Sequence, residues 1–177
     1  MSSSASGLAP IVIETHLGEI AVEINTAAAP GTAANFLAYV DGGWYDDGVF
    51  HRTVTMVNQP DSPVKIEVIQ GGIGPNRSRD NAQPIPLERT SVTGLRHVDG
   101  AISMARFAPD SAVSDFFICI GVQPELDFGG RRNPDGQGFA AFGRVTAGME
   151  VVRSIQQSPH DAQTLTPPVP IARIRRA

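Results

Sequence analysis

The chain has a single cysteine, Cys119, which excludes an internal disulfide framework and any cysteine-based zinc cluster. It has no basic block and a net charge of −4, so an electrostatic grip on nucleic acid is not expected. Its longest apolar runs, such as Phe116 to Ile120, fall far short of the ~20 residues that cross a bilayer. The opening Met1 to Gly7 segment has neither a positively charged start nor an apolar stretch, and so does not read as a signal peptide. As written, the chain is expected to be soluble, cytoplasmic and without membrane contact; removal of a leader would make it periplasmic or secreted instead. Its four histidines, His16, His51, His97 and His160, share no helical spacing and no HExxH arrangement, so neither a metal site nor a cofactor is expected. Lysine is nearly absent too: Lys65 stands alone among fourteen basic residues, which reflects genomic base composition rather than function.

What is present describes a globular domain. The chain has 177 residues, 41% of them apolar and 18% charged, which is incompatible with disorder. A chain of this size buries roughly 70% of the surface its unfolded form exposes. One domain over residues 10–177 is expected, preceded by a flexible extension over 1–9. Ile11 to Thr15 and Ile20 to Ile24, joined by a turn at Leu17-Gly18-Glu19, read as a hairpin. Ala27 to Val40 changes to a helical period with Phe36, Leu37 and Val40 on one stripe, ended by Gly42-Gly43. Further strands are expected at Val49–Val54, Val64–Gln70, Gly100–Arg106, Phe116–Val122, Phe139–Val145 and Val169–Ile174, with a second helix from Gly148 to Gln157. Two helices and about eight short strands without regular alternation point to an antiparallel barrel with helical caps. The loops Asn58–Pro63, Gly71–Pro86 and Glu125–Gly138 are long for a compact domain, and such loops are more often functional than idle.

Several motif-level chemistries fall away. Gly71-Gly72-Ile73-Gly74 lacks the Lys-Ser/Thr of a phosphate loop, and no G-x-S-x-G elbow is present. Cys119, inside Phe116 to Ile120, reads as a buried, inert thiol. Asn76-Arg77-Ser78 is a glycosylation sequon of consequence only in a eukaryotic secretory setting. What survives is an arginine among aromatics. In Phe50-His51-Arg52, strand alternation places Phe50 and Arg52 on one face and His51 on the other. A cation within a sheet is costly unless paired or exposed at a working surface. Phe116-Phe117 sends one ring inward and one outward. By itself this says only that an apolar surface carries a fixed cation; a solvated arginine reads equally well.

The segments taken together say more. Phe50-His51-Arg52, Ile69-Gln70-Gly71-Gly72, Gly100 to Arg106, Ser114 to Ile118, and Phe142 to Val145 with Gly148-Met149 closely resemble the cyclophilin family of peptidyl-prolyl cis-trans isomerases, in order and spacing from Pro10 to Ile174. The Met104-Ala105-Arg106 form and Phe139 look more like bacterial members. The resemblance implies a closed eight-stranded antiparallel β-barrel capped by two α-helices, and catalysis of X-Pro rotation without a covalent step. Arg52 matches the family's catalytic arginine and Gln70 the glutamine that orients it. Phe117 and Leu126 match walls of the proline pocket, and Phe139 stands where many members carry histidine. Phe50, Val68, Phe107 and Asp115 complete the implied substrate surface. The main chain at Ala105 and Arg106 would pair with the residue preceding proline.

The departures carry expectations of their own. Glu67-Val68 replaces a Phe-Met pair, so Glu67 would either salt-bridge Arg52 or spoil the pocket. An insertion follows the arginine strand at Met56 to Val64, and Met56 or Val57 would fill the gap left by phenylalanine. Asp115 replaces a glutamine, and Glu125 a tryptophan that contributes to binding cyclosporin-type macrocycles, so weak cyclosporin binding is expected. Arg131 and Arg132 would favour acidic residues near the substrate proline, or merely solubilise their loop. The partners implied are proline-containing peptides and unfolded protein clients, met by a monomer, since a closed barrel has no free edge. The alternative is a weakly or non-catalytic module that binds proline-containing segments, as a chaperone or in assembly. A hydrolase built on paired acids finds no support in the residue spacing.

Overall fold

The computed structural model describes residues 7–79 and 82–177, so most of the extension expected over 1–9 lies outside the described residues. Leu8 and Ala9 already belong to strand β1 (Leu8–Thr15). It pairs antiparallel with β2 (Gly18–Asn25), where Ile11, Ile13, Ile20, Val22 and Ile24 face one way and are buried. β-branched side chains on every second position fill one face of a pleated ribbon, and this hairpin follows that rule. Helix α1 (Pro30–Asp41) comes next, followed by β3 (Gly48–Val54), β4 (Val68–Gly72) and a one-turn helix α2 (Thr90–Thr93). The chain continues through β5 (Ala101–Met104), β6 (Phe116–Cys119), β7 (Ala141–Ala147), α3 (Met149–Gln156), β8 (His160–Asp161) and β9 (Thr164–Arg176).

The sheet order is β1-β2-β7-β5-β6-β4-β3-β9, and β9 returns to pair with β1, which closes an eight-stranded antiparallel barrel; β8 forms a short hairpin on β9. The closed barrel is as expected, but a third helix joins the two foreseen. α2 is a single turn ended by Gly94 at φ 75°, too short to show a helical period in the sequence. The expected strand at Val64–Gln70 starts only at Val68. Upstream, the Gln59 side chain bonds both the N–H and the C=O of Ile66, at 3.2 and 2.7 Å, and so takes the place of a neighbouring strand.

The barrel interior holds an aromatic cluster. Phe116 meets Phe36, Tyr45 and Phe50 edge-on at 5.5–5.8 Å, so that α1 is bolted to β3 and β6. α3 plugs the barrel with Val152 and Ile155, both fully buried. Its entry at Gly148 requires glycine on two counts: φ is +98°, and a Cβ would stand 2.4 Å from the Glu19 carbonyl oxygen.

α1 begins at Pro30 with Ala29 before it, so no local side chain caps its amides. Glu88, 56 residues beyond Thr32, supplies the cap: its carboxylate accepts from Gly31 N at 3.2 Å and Thr32 N at 2.6 Å, and from the Thr32 hydroxyl. Replacing Glu88 with Ala should therefore cost about 0.5–2 kcal/mol in a denaturant titration. An unchanged midpoint would show that water caps the helix equally well.

Candidate active site

A cleft of about 520 Å³ opens on the outer face of β3, β4, β5 and β6, within the range of small-ligand pockets. Its floor is apolar: Val68, Phe117 and Leu126 are nearly fully buried, and Ile66 and Phe139 complete it. Phe139 stands edge-on to Phe117 at 5.5 Å. The next phenylalanine along β6, Phe116, points the opposite way into the barrel, as alternation requires.

One irregularity sets the site. Phe50 pairs with Gly71 and Arg52 with Gln70, so His51 is an extra residue in β3, a β-bulge. The bulge resets the alternation. Phe50 is fully buried in the barrel core, while Arg52 turns out to the cleft, so the two do not share a face and Phe50 does not line the site. The expectation for Phe50 is corrected accordingly. The ring serves the cleft only from behind, through its packing on Phe116.

Arg52 is held from both sides by neutral acceptors. Its Nη1 donates to Gln70 Oε1 at 2.9 Å, and its Nε and Nη2 donate to Gln163 Oε1 at 2.9 and 2.7 Å. Gln163 is held in turn by Asn58, in the loop after β3: its Nε2 donates to the Asn58 carbonyl at 3.2 Å, and Asn58 Nδ2 donates to the Thr53 and Ala162 carbonyls. On the other side Gln70 Nε2 donates to Asp115 Oδ2 at 3.2 Å, the oxygen that also meets His51 Nε2 at 3.0 Å. Of the five N–H groups a guanidinium carries, these bonds use three, and among the described residues one on each terminal nitrogen is left for a ligand. Burial, and then the nearby charge of Arg132, depress the Arg52 pKa, but a guanidinium stays charged at neutral pH.

The positions singled out from the sequence as departures resolve individually. Glu67 neither pairs with Arg52 nor enters the cleft; its carboxylate accepts from Gln156 Nε2 at 3.0 Å. Met56 and Val57 do not line the cleft, being 53% and 89% exposed; Ile66 does. Glu125 is paired with Arg131 at 3.0 Å outside the cleft. Asp115 lines the cleft and serves as the acceptor that orders Gln70. Ala105 and Arg106 also line it, just beyond the end of β5; the Ala105 N–H is donated to the Asp115 carbonyl, so a peptide paired here must use other main-chain groups. The Arg106 side chain is committed to the wall: it forms a bidentate pair with Asp135 at 3.0 Å and lies 4.8 Å over the Phe139 ring. Phe107, at the mouth, is 94% exposed.

Three residues behind the floor escape sequence reasoning. His97 Nδ1 meets Asp127 Oδ1 at 2.7 Å, and its Nε2 meets Ser103 Oγ at 2.9 Å, with the ring stacked under Phe117 at 6.0 Å. Burial works to raise the Asp127 pKa, but the His97 hydrogen bonds outweigh it and hold the carboxyl below its usual range. Despite its likeness to a hydrolytic triad, Ser103 and His97 are wholly inaccessible, so the arrangement fixes Phe117 rather than attacking a substrate. Cys119, fully buried with its pKa raised by that burial, is equally inert.

The same geometry has relatives. A family model described as "Cyclophilin type peptidyl-prolyl cis-trans isomerase/CLD" matches residues 10–176. A peptidyl-prolyl cis-trans isomerase of Streptomyces antibioticus is 35% identical over 150 residues, covering 84% of each chain. Peptidyl-prolyl cis-trans isomerase A of Dickeya dadantii is 34% identical over 148 residues, covering 83% of this chain and 70% of that one. Among solved structures, a cyclophilin type peptidyl-prolyl cis-trans isomerase of Cryptosporidium parvum superposes with a TM-score of 0.76 at 22% identity, over 96% of this chain and 98% of that one. A second structure of the Cryptosporidium protein, with a TM-score of 0.75, was obtained in the presence of the dipeptide Ala-Pro. A closed barrel, an outward-facing arginine held by glutamines beside an apolar cleft, and these matches over nearly the whole chain lead to one conclusion: the chain belongs to the cyclophilin-type peptidyl-prolyl cis-trans isomerase family.

Proposed function

We propose that the chain accelerates rotation about X-Pro bonds in peptides and folding proteins, with Arg52 as the donor that recognises the twisted amide. The observation that carries the reading is the hold on Arg52: three hydrogen bonds to two glutamines fix the guanidinium at the cleft edge, with two N–H groups uncommitted among the described residues. X-Pro rotation crosses a barrier of about 20 kcal/mol because it breaks amide resonance. At the top of the barrier the prolyl nitrogen is pyramidal and carries a lone pair that the planar forms lack. A donor that meets this lone pair only in the twisted state lowers the barrier without tightening the ground state. Val68, Phe117, Leu126, Phe139 and Ile66 offer the proline ring an apolar seat, and Asp115 keeps Gln70, hence Arg52, in place. No covalent intermediate and no cofactor is required.

The test is the cis-trans exchange rate of a short, uncharged Ala-Pro peptide, read by NMR with the folded protein present. Acceleration is expected; none would leave the cleft a proline-binding surface only. Because β1 and β9 close the barrel, no long sheet edge is free among the described residues, and we propose that the chain acts as a monomer.

Cyclosporin-type macrocycles should inhibit weakly, since Glu125 is turned away from the cleft and paired with Arg131. Glu125→Trp should strengthen inhibition by about tenfold or more, as aromatic anchors do at interfaces. Tight binding by the unmodified chain would show that another residue takes the tryptophan's part.

A further inference from the structure

We infer that Arg132 makes the cleft selective for proline-containing segments that carry a carboxylate side chain near the proline; the inference rests on the isomerase reading of the same cleft. The charges around the cleft sort into those already satisfied and those not. Arg106 is neutralised by Asp135, and Arg131 is paired with Glu125 outside the cleft, itself 74% exposed; the Asp115 carboxylate, which also lines the cleft, is hydrogen-bonded to His51 and Gln70 and among the described residues is within ion-pair distance of neither Arg52 nor Arg132. Arg52 and Arg132 differ: both line the cleft, both are half-buried, and among the described residues neither has a carboxylate within ion-pair distance. Among the described residues the Arg132 guanidinium bonds only to neutral groups, and only through Nη1: Gln59 Oε1 at 2.6 Å, Ser62 Oγ at 3.0 Å and the Val64 carbonyl at 2.7 Å. Among the described residues its Nε and Nη2 have no protein partner, so the planar fork that suits a carboxylate is unused.

The arrangement is costly without an anion. Two guanidinium groups share a low-dielectric wall, each pushed to lower pKa by burial, and Arg52 further by the charge of Arg132. A carboxylate entering the cleft meets cations already partly desolvated and already held in place, Arg52 by Gln70 and Gln163 and Arg132 by Gln59, Ser62 and the Val64 carbonyl. The chain's net charge of −4 excludes a general attraction for acidic peptides, so the preference is local and short-ranged. Of the two loop arginines, only Arg132 is positioned to act on substrate; Arg131 is exposed and neutralised.

The experiment is a Glu-against-Gln scan at the residues flanking Ala-Pro in peptides with blocked ends. For each, kcat/KM is measured by NMR exchange and Kd by titration. At the favoured position and low salt, Glu should exceed Gln by about three- to tenfold, as for a partly desolvated ion pair. The ratio should fall toward one in about 1 M salt, where the screening length is about 3 Å. It should fall likewise in Arg132→Gln and persist in Arg131→Gln. A ratio within about twofold at every position in the unmodified protein, or one that survives Arg132→Gln, overturns the inference and leaves Arg132 as a clamp on the insertion. Should Arg132→Gln fail to fold, the position and salt series on the unmodified protein decides by the same criterion. If the folded protein turns over neither peptide, the isomerase reading falls, and the Kd ratios still decide whether Arg132 selects a carboxylate.

Discussion

Arg52→Ala is expected to lower kcat/KM for a neutral Ala-Pro peptide by about 10²–10³-fold, the loss that follows removal of one preorganised donor at a reacting centre. The magnitude follows from where the donor acts. If Arg52 meets the prolyl lone pair only in the twisted amide, its removal raises the barrier and leaves ground-state contacts with Phe117, Leu126 and Phe139 intact. The peptide's Kd should therefore move far less than kcat. Arg52→Lys should restore little, because a point-charge ammonium cannot take the three bonds by which Gln70 and Gln163 aim the guanidinium. The comparison is made by NMR exchange for turnover and by titration for affinity. A kcat within threefold of the unmodified protein would remove Arg52 from the mechanism. Equal losses in affinity and turnover would instead make it a binding residue, as the non-catalytic reading requires.

The second large effect concerns stability. Phe116→Ala should destabilise the chain by about 3–5 kcal/mol, the cost of deleting a buried phenylalanine. Phe116 is fully buried and meets three other aromatic rings, Phe36, Tyr45 and Phe50, so neighbours on α1 and β3 lose their partner at once. A domain of this size loses roughly 2–4 °C per kcal/mol, so the melting point should drop by about 6–20 °C. Since whole domains are stable by only about 5–15 kcal/mol, the variant stands near the edge of folding. A shift of less than about 1 kcal/mol in a chemical melt would mean that the cavity collapses and that the ring cluster is not what joins α1 to the barrel.

Much of the architecture was legible along the chain. The hairpin of β1 and β2 obeys a period of two over consecutive residues, and α1 a period near 3.6, so local sequence settles both. The site was readable where its parts lie on single strands. Arg52, Gln70, Val68 and Phe117 line the cleft and fall within or next to a block that resembles the family, whereas Leu126 and Phe139, which line it too, come from the segment between blocks. Phe50 was misplaced because alternation holds only without a bulge, and nothing in Phe50-His51-Arg52 announces that His51 is the extra residue; the partner strands impose it.

What the sequence by itself determined, then, is which barrel strands exist, which residue types line the cleft, and that a cation sits among aromatics. The tertiary structure alone decided what holds that cation and what else shares its cleft. Gln163 reaches Arg52 across 111 positions, Arg132 reaches Gln59 across 73, and His97 meets Asp127 across 30. A local pattern reports the preferences of neighbours along the chain, whereas these contacts exist because barrel closure and strand register bring distant segments to one face, a constraint distributed over every strand pair.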